Sequence, residues 1–93
     1  MTQPRESAGL ARAVAHLESR DWRAAHEIVQ HDESQLAAWL HGIVHTLEGD
    51  LDNARYWYRR AKRAFPGPEG VEHEVAEARR AVDTQASTGQ EKA

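Results

Sequence analysis

The sequence contains no cysteine and only three prolines among its 93 residues. The lack of cysteine excludes disulfides and thiolate metal sites. No apolar run approaches the roughly 20 residues that a membrane-spanning helix requires, and residues 1–7 lack the apolar segment of a secretory signal. The sequence therefore predicts a protein of the cytoplasm.

An excess of positive charge is also missing. The formal net charge of −3 and the pI of about 6.0 give no general attraction to nucleic acid or to an anionic membrane. One dense basic run, residues 59–63, lies near the end of a predicted helix, where cations interact favourably with the helix dipole, so we interpret it as a solvated face. Glycine-rich phosphate loops and a nucleophile elbow are absent from the sequence. We expect no nucleic-acid partner, no membrane partner and no serine hydrolase activity.

Apolar residues recur at helical spacing in five segments, and no segment alternates with a period of two. The five stripes are Leu10, Ala13, Val14 and Leu17; Trp22, Ala25, His26 and Val29; Leu36, Leu40, Ile43, Val44 and Leu47; Ala54, Trp57, Tyr58, Ala61 and Phe65; and Val71, Val75, Ala78 and Val82. The pattern predicts an all-α protein of five helices without a sheet.

Polar and helix-breaking residues mark the predicted helix ends. The predicted N-caps are Asp21, Ser34 and either Asp50 or Asp52, and the predicted stops are Gly49 and Pro66-Gly67-Pro68. Residues 1–6 and 84–93 are polar and lack periodicity, so we expect a flexible N-terminus and a disordered C-terminal tail. A single helical-repeat domain is predicted between them, over residues 7–83.

The chain also repeats itself. Residues 19–25 align with residues 48–54, and in both copies an aspartate opens a helix and an alanine follows four residues later. With the same offset of 29 positions, Val29 corresponds to Tyr58 and His16 to His45. Two helix-turn-helix units followed by a single helix are typical of a short helical repeat with a C-terminal cap.

Small and aromatic residues keep a fixed spacing over residues 38–66. They are Gly42, Gly49, Asp50, Ala54, Tyr58, Ala61 and Pro66. This arrangement resembles the tetratricopeptide repeat. The resemblance implies two antiparallel helix-turn-helix units, a capping helix and a non-enzymatic interaction module whose concave surface binds a peptide, a partner protein or a second copy of itself. Because two repeats are few, a homodimer is plausible.

A second resemblance covers residues 25–66. The residues that carry it are His41, His45, Glu48, Gly49, Asp50, Asn53, Tyr56, Trp57 and Arg59. They resemble the pattern of a group of small microbial proteins, and this resemblance implies no particular activity. Its histidines stand where a plain tetratricopeptide repeat carries apolar and aromatic residues.

A row of polar side chains occupies one face of the third helix. His41, His45 and Glu48 follow one another at i, i+4 and i+7 and span about 60° of arc, well away from the apolar face. Three interpretations stay open. The row is a solvated face, or it is buried against the following helix with each ring bonded to a carboxylate or a tyrosine hydroxyl, or it is a metal site.

The metal interpretation needs a third imidazole. His41 and His45, one turn apart, can direct their ring nitrogens at one cation. Glu48 can supply an oxygen ligand or act as a base toward a bound water, and His26 on the inward stripe of the second helix is the candidate third histidine. Three histidines and a carboxylate suit Zn, Ni, Cu or Fe. A zincin is not predicted, because Gly42 stands where that motif has its glutamate. The alternative function is thus a small metalloprotein, either an enzyme or a binding protein.

Overall fold

The computed structural model describes the backbone of residues 3–92 and the side chains of residues 9–85. Within this part of the chain there are five α-helices and no strand, which confirms the predicted all-α class. The elements are α1 (Gln3–Glu18), α2 (Trp22–Val29), α3 (Gln35–Glu48), α4 (Leu51–Arg60), a 3-10 turn (Pro68–Gly70) and α5 (Val71–Lys92). None of these described helices has the length and apolar character needed to cross a membrane.

The turn between α3 and α4 is closed by a glycine and an aspartate. Gly49 adopts a left-handed conformation with φ of 94°, and the N–H of Asp50 donates to the carbonyl of His45 at 2.9 Å. This is the Schellman arrangement that ends many helices. The Asp50 carboxylate then accepts from the N–H of Asn53 at 3.3 Å and caps α4. Gly49 thus ends α3, as predicted. Of the two predicted caps of α4, Asp50 rather than Asp52 is the one observed.

The turn between α1 and α2 repeats the same geometry 29 positions earlier. Arg20 takes the left-handed conformation with φ of 66°, and the N–H of Asp21 donates to the carbonyl of His16 at 2.8 Å. The Asp21 carboxylate accepts from the N–H of Ala24 at 3.2 Å, which confirms the predicted cap. The repeat in the sequence is therefore a repeat of the turn.

Helices α3 and α4 pack closely because α3 has a glycine at the crossing. A Cβ atom built at Gly42 would lie 2.5 Å from Cδ1 of Tyr58 and 3.4 Å from the carbonyl oxygen of Ala54. The ring of Tyr58 therefore rests on the backbone of α3 and is 1% exposed.

Ser34 caps α3 as predicted, with its hydroxyl accepting from the N–H of Ala37 at 3.1 Å.

Helix α5 returns along the molecule and packs against α1 and α3. It runs antiparallel to α1, since Glu18 pairs with Arg79 whereas the later Arg20 pairs with the earlier Glu72. Its buried residues join one core with the apolar stripes of the other helices. The largest fully buried side chains of this core are Leu17, Val14, Val29, Leu40, Ile43, Val44 and Tyr58. α5 thus covers the side of the molecule on which the first helices of the two units lie together.

One carboxylate ties α5 to the second helical unit. An oxygen of Glu74 accepts from Nε1 of Trp39 at 3.0 Å and from the hydroxyl of Tyr58 at 2.7 Å. Burial of the phenol, followed by the nearby Glu74, raises the pKa of Tyr58 well above its usual range. The hydroxyl therefore stays protonated and donates to the carboxylate.

The predicted end of α4 at Pro66 is wrong. α4 ends at Arg60 because Lys62 turns left-handed, with φ of 61°, and the N–H of Arg63 donates to the carbonyl of Tyr58 at 3.0 Å. The helix is therefore closed by a Schellman turn before the proline. Phe65 lies outside α4, although its ring still packs edge-on against Tyr58 at 5.2 Å between centroids.

Helical backbone also enters both terminal segments. α1 begins at Gln3, within the N-terminus expected to be flexible, and α5 continues to Lys92 through the tail expected to be disordered. The sequence assigned disorder there because the segments are polar. A helix whose exposed faces are polar gives the same composition, so composition alone does not place a helix end.

Candidate metal centre

Helices α2 and α3 bring together the three histidines that the sequence singled out. The ring centroids of His26 and His41 lie 4.8 Å apart, those of His26 and His45 5.6 Å apart, and those of His41 and His45 5.0 Å apart. One nitrogen of each ring lies within 4.8 Å of those of the other two. The cluster combines one side chain from the first helical unit with two from the second.

The local structure explains this convergence. His41 and His45 are one turn apart on α3 and lie on the face that turns toward α2 and α4. His26 lies in the last turn of α2, between the buried Ala25 and Val29, which anchor that helix in the core. The packing of α2 on α3 therefore sets the position of His26.

The interpretation of the row as a solvated face is wrong for its two histidines, whereas Glu48 at its end is exposed. His41 is 6% exposed and His45 is 9% exposed. The reason is Trp57 of α4, whose ring stacks on His41 with 3.9 Å between centroids and 6° between planes. The indole covers the side of the cluster that would otherwise face water.

Glu48 does not join the three converging nitrogens. Its Oε1 lies 2.7 Å from Nδ1 of His45, so the carboxylate accepts the Nδ1–H and leaves Nε2 of that ring as the acceptor. A carboxylate behind a histidine fixes the tautomer and orientation of the ring and makes it a stronger ligand. The carboxylate is therefore placed to position His45, although Glu48 also lies with His45 and Asp50 in a second group whose potential ligand atoms are all within 4.8 Å of one another.

The interpretation of the row as buried structural histidines holds only in part. His45 is bonded to a carboxylate, whereas the ring nitrogens of His26 and His41 have no hydrogen-bond partner among the described residues. No fully buried side-chain nitrogen or oxygen in this part of the chain lacks a partner, so these ring nitrogens reach solvent. Burial, followed by the neighbouring His45 and His26, lowers the pKa of His41 to about 4. At neutral pH the ring is therefore uncharged and keeps a lone pair, which is the form that binds metals.

The spacing of the nitrogens fits a metal ion after a small contraction. With metal–nitrogen bonds of about 2.0–2.1 Å, two tetrahedral ligand nitrogens lie roughly 3.3 Å apart. The present spacing is at most 4.8 Å, so binding requires the rings to move closer by rotation about their side-chain bonds. Three imidazoles are suited to Zn²⁺, Cu²⁺ or Ni²⁺.

Sequence reasoning missed the part that Trp57 plays. The indole was assigned to the core from its place on the apolar stripe, but it is only partly buried and forms one wall of the cluster. A signal was available, because residues about equally far from the Gly49 turn face each other across an antiparallel hairpin. Tyr56 is 41% exposed and packs edge-on against Trp57, and its hydroxyl accepts from Arg60 at 2.9 Å rather than bonding to His45 or Glu48.

The fold and this cluster together define a small all-helical protein with a group of three histidines, of which His41 and His45 are buried. No family model, no curated protein and no solved structure matches the chain. The resemblance to tetratricopeptide repeats accordingly stays a prediction.

Proposed function

We propose that this protein binds one divalent transition-metal ion through His26, His41 and His45. The observation that carries the proposal is the convergence of three imidazole nitrogens, from two helical units, within 4.8 Å of one another. The hydrogen bond from His45 to Glu48 and the indole that covers His41 support it. Both features are those expected around metal-binding imidazoles, which need a fixed tautomer and a shielded site.

The proposed ion connects the two units of the fold. His26 belongs to the α1–α2 unit, whereas His41 and His45 belong to the α3–α4 unit. An ion held by all three therefore restrains the packing of α2 on α3. Because it binds the folded chain and not the unfolded one, it stabilises the fold by mass action, by about 2.7 kcal/mol at a free concentration of 100 times the Kd.

We also infer that α1–α4 are arranged as two tetratricopeptide-like units. The identical left-handed turns at Arg20 and Gly49 support this, as does the close contact between Gly42 and Tyr58 at the helix crossing. α5 lies across α1 and α3, antiparallel to α1, and therefore covers the two units rather than adding the next helix of the array. The metal proposal does not depend on this inference.

The decisive experiment measures metal binding by protein without an affinity tag. After removal of bound metal with a chelator, titration calorimetry with Zn²⁺ should show one ion per chain, and the Tm should rise on addition of Zn²⁺. His26→Gln and His45→Gln should each weaken binding at least tenfold, because each removes one of three ligands. His31→Gln and His73→Gln alter histidines outside the cluster and should leave the affinity for Zn²⁺ unchanged. Equal binding by the cluster variants and these controls would refute the proposal.

Trp57 provides an independent optical signal. Because its ring lies against His41, Cu²⁺ bound at the cluster should quench its fluorescence strongly. Trp22 precedes His26 by one turn of α2, so the titration compares Trp22→Phe with the Trp22→Phe/Trp57→Phe double variant. The quenching should be stoichiometric in Trp22→Phe and largely lost in the double variant. Quenching that survives in the double variant would place the bound Cu²⁺ elsewhere.

A further inference from the structure

The histidine cluster of His26, His41 and His45 offers three ligand nitrogens to a metal ion. Among the side chains of residues 9–85, no further histidine, aspartate or glutamate places a ligand atom within 4.8 Å of all three. In zinc sites that use three protein side chains, the fourth tetrahedral position holds water or a substrate. An ion at the cluster therefore has one position that the described residues do not fill.

Two carboxylates lie near one end of the cluster, but both have other partners. Glu48 and Asp50 share a group of potential ligand atoms with His45 and not with the other two histidines. Glu48 is bonded to Nδ1 of His45 at 2.7 Å. Asp50 caps α4 and accepts from the backbone N–H and the side-chain amide of Asn53 at 3.3 Å and 3.0 Å. Neither carboxylate is placed to complete the set of the three histidines.

Solvent reaches the cluster through a narrow opening. The ring nitrogens of His26 and His41 have no hydrogen-bond partner among the described residues, and no fully buried polar side-chain atom there lacks one, so these nitrogens reach solvent. The opening is small, because His41 and His45 are 6% and 9% exposed and the ring of Trp57 stacks on His41. It therefore favours a ligand of few atoms over a bulky one.

The donor set also determines the charge of such a ligand. An imidazole coordinates a metal in its uncharged form, so three of them leave both positive charges of the ion without compensation. Glu48 and Asp50 are exposed, and water and salt weaken their field at the ion. An anion in direct contact with the ion compensates its charge at short range, in surroundings from which most water is excluded.

We infer that an ion bound at the histidine cluster keeps one exchangeable position, which takes a small anion in place of water. The inference rests on the proposed metal site and names the ligand class of that site. When the anion binds, a lone pair of the anion forms the new bond to the ion and one water molecule leaves. No electron is transferred, and the three histidines stay bound.

The test uses protein loaded with one Co²⁺ per chain, because the visible absorption of this ion reports its coordination number. Azide should change the spectrum saturably, with one azide per Co²⁺. The strong absorption of four-coordinate Co²⁺ should persist, since azide replaces water and does not add a fifth ligand. Formate should compete with azide, and uncharged formamide of nearly the same size should compete about tenfold more weakly or worse. Benzoate, which carries the same carboxylate on a bulky ring, should also compete more weakly than formate.

Glu48→Gln distinguishes a ligand from solution from one supplied by the chain. It keeps the size of the side chain and removes the charged ligand. If water fills the position, the affinity for azide should change by less than about fivefold, the effect of one exposed charge. Glu69→Gln makes the same change at an exposed position outside the site and serves as the control. A much larger gain in Glu48→Gln alone would show that Glu48 fills the position, which would overturn the inference.

The remaining outcomes separate this inference from the metal site on which it rests. If His26→Gln binds Co²⁺ as tightly as the native chain does, the ion is not at the cluster and both proposals fail. If Co²⁺ binding depends on His26 but azide leaves the spectrum unchanged, the metal site stands and the exchangeable position is refuted. Loss of the azide response at high protein concentration would mean that a second copy of the chain supplies the ligand. Equal competition by formate and formamide would refute the preference for an anion.

Discussion

At the scale of the residue, Gly42 determines how closely α3 and α4 approach beside the histidine cluster. It adjoins His41 in the chain, and the ring of Tyr58 occupies the space that a side chain at position 42 would need. Because His41 stacks on Trp57 of the same helix that carries Tyr58, the spacing of the two helices also sets the depth of the cluster.

We expect Gly42→Ala to destabilise the fold by about 1–3 kcal/mol, the usual range for overpacking a core. The new Cβ would lie 2.5 Å from Cδ1 of Tyr58, so the helices must separate. Gly9→Ala on α1 is the matched control, because its Cβ would meet nothing closer than 3.9 Å. That change should be neutral or stabilising by up to about 1 kcal/mol through helix propensity. Urea unfolding of both variants tests this, and similar losses at both positions would contradict it.

Residues of the site were predictable to the extent that helical spacing determines them. The row of His41 and His45, with His26 as its third member, follows from faces of helices and is found together in the structure. The hydrogen bond between His45 and the Glu48 carboxylate was not predictable. Spacing along one helix does not show which nitrogen of a ring a carboxylate reaches.

At the scale of the element, three left-handed residues end helices, and only one of them is a glycine. Arg20, Gly49 and Lys62 have φ of 66°, 94° and 61°. The turn at Gly49 was predictable from the sequence because glycine adopts this conformation without strain. The end of α4 near Lys62 was not predictable, because nothing in the chemistry of lysine marks a left-handed residue. The predicted end of the helix was therefore placed at the next helix-breaking residue, Pro66.

We expect substitution of the left-handed residue to change the stability of the protein in opposite directions at Gly49 and at Lys62. Gly49→Ala should destabilise the protein by about 1 kcal/mol, because a Cβ is strained in this conformation. Lys62→Gly should stabilise it by roughly 0.5–1 kcal/mol, since it removes that strain at an exposed position. The Tm values of the two variants check this. A loss at Lys62 as large as that at Gly49 would show that the lysine side chain contributes more than its backbone strain.

At the scale of the whole molecule, two parts of the chain hold the helical units together. α5 spans α1 and α3 through its apolar face and through Glu74, whereas the histidine cluster connects α2 with α3 and α4. The sequence predicted α5 as a terminal cap from its single apolar stripe. Its position across α1 and α3 depends on pairs far apart in the chain, such as Glu18 with Arg79, which no local pattern reveals.

Because the cluster is buried between units, its protonation bears on global stability of the metal-free protein. The pKa of His41 is about 4 in the fold, against an ordinary value of 6.5. Between these values the unfolded chain binds a proton that the folded chain does not. The free energy of unfolding is therefore highest above pH 6.5 and decreases as the pH falls toward 4. This one group gives a slope of up to about 1.4 kcal/mol per pH unit.

Urea unfolding of metal-free protein across this range provides the test. His41→Phe keeps an aromatic ring against Trp57 but has nothing to titrate, so its profile should be flatter between pH 4.5 and 6.5. Glu18 and Glu77, whose pKa values are both lowered from 4.5, and Asp50, whose pKa is lowered from 3.8, lose their contributions only at lower pH, outside this window. If native protein and His41→Phe lose stability in parallel, protonation of His41 is not coupled to unfolding. Added Zn²⁺ should steepen the native profile alone, because protons then compete with the ion for the same nitrogens.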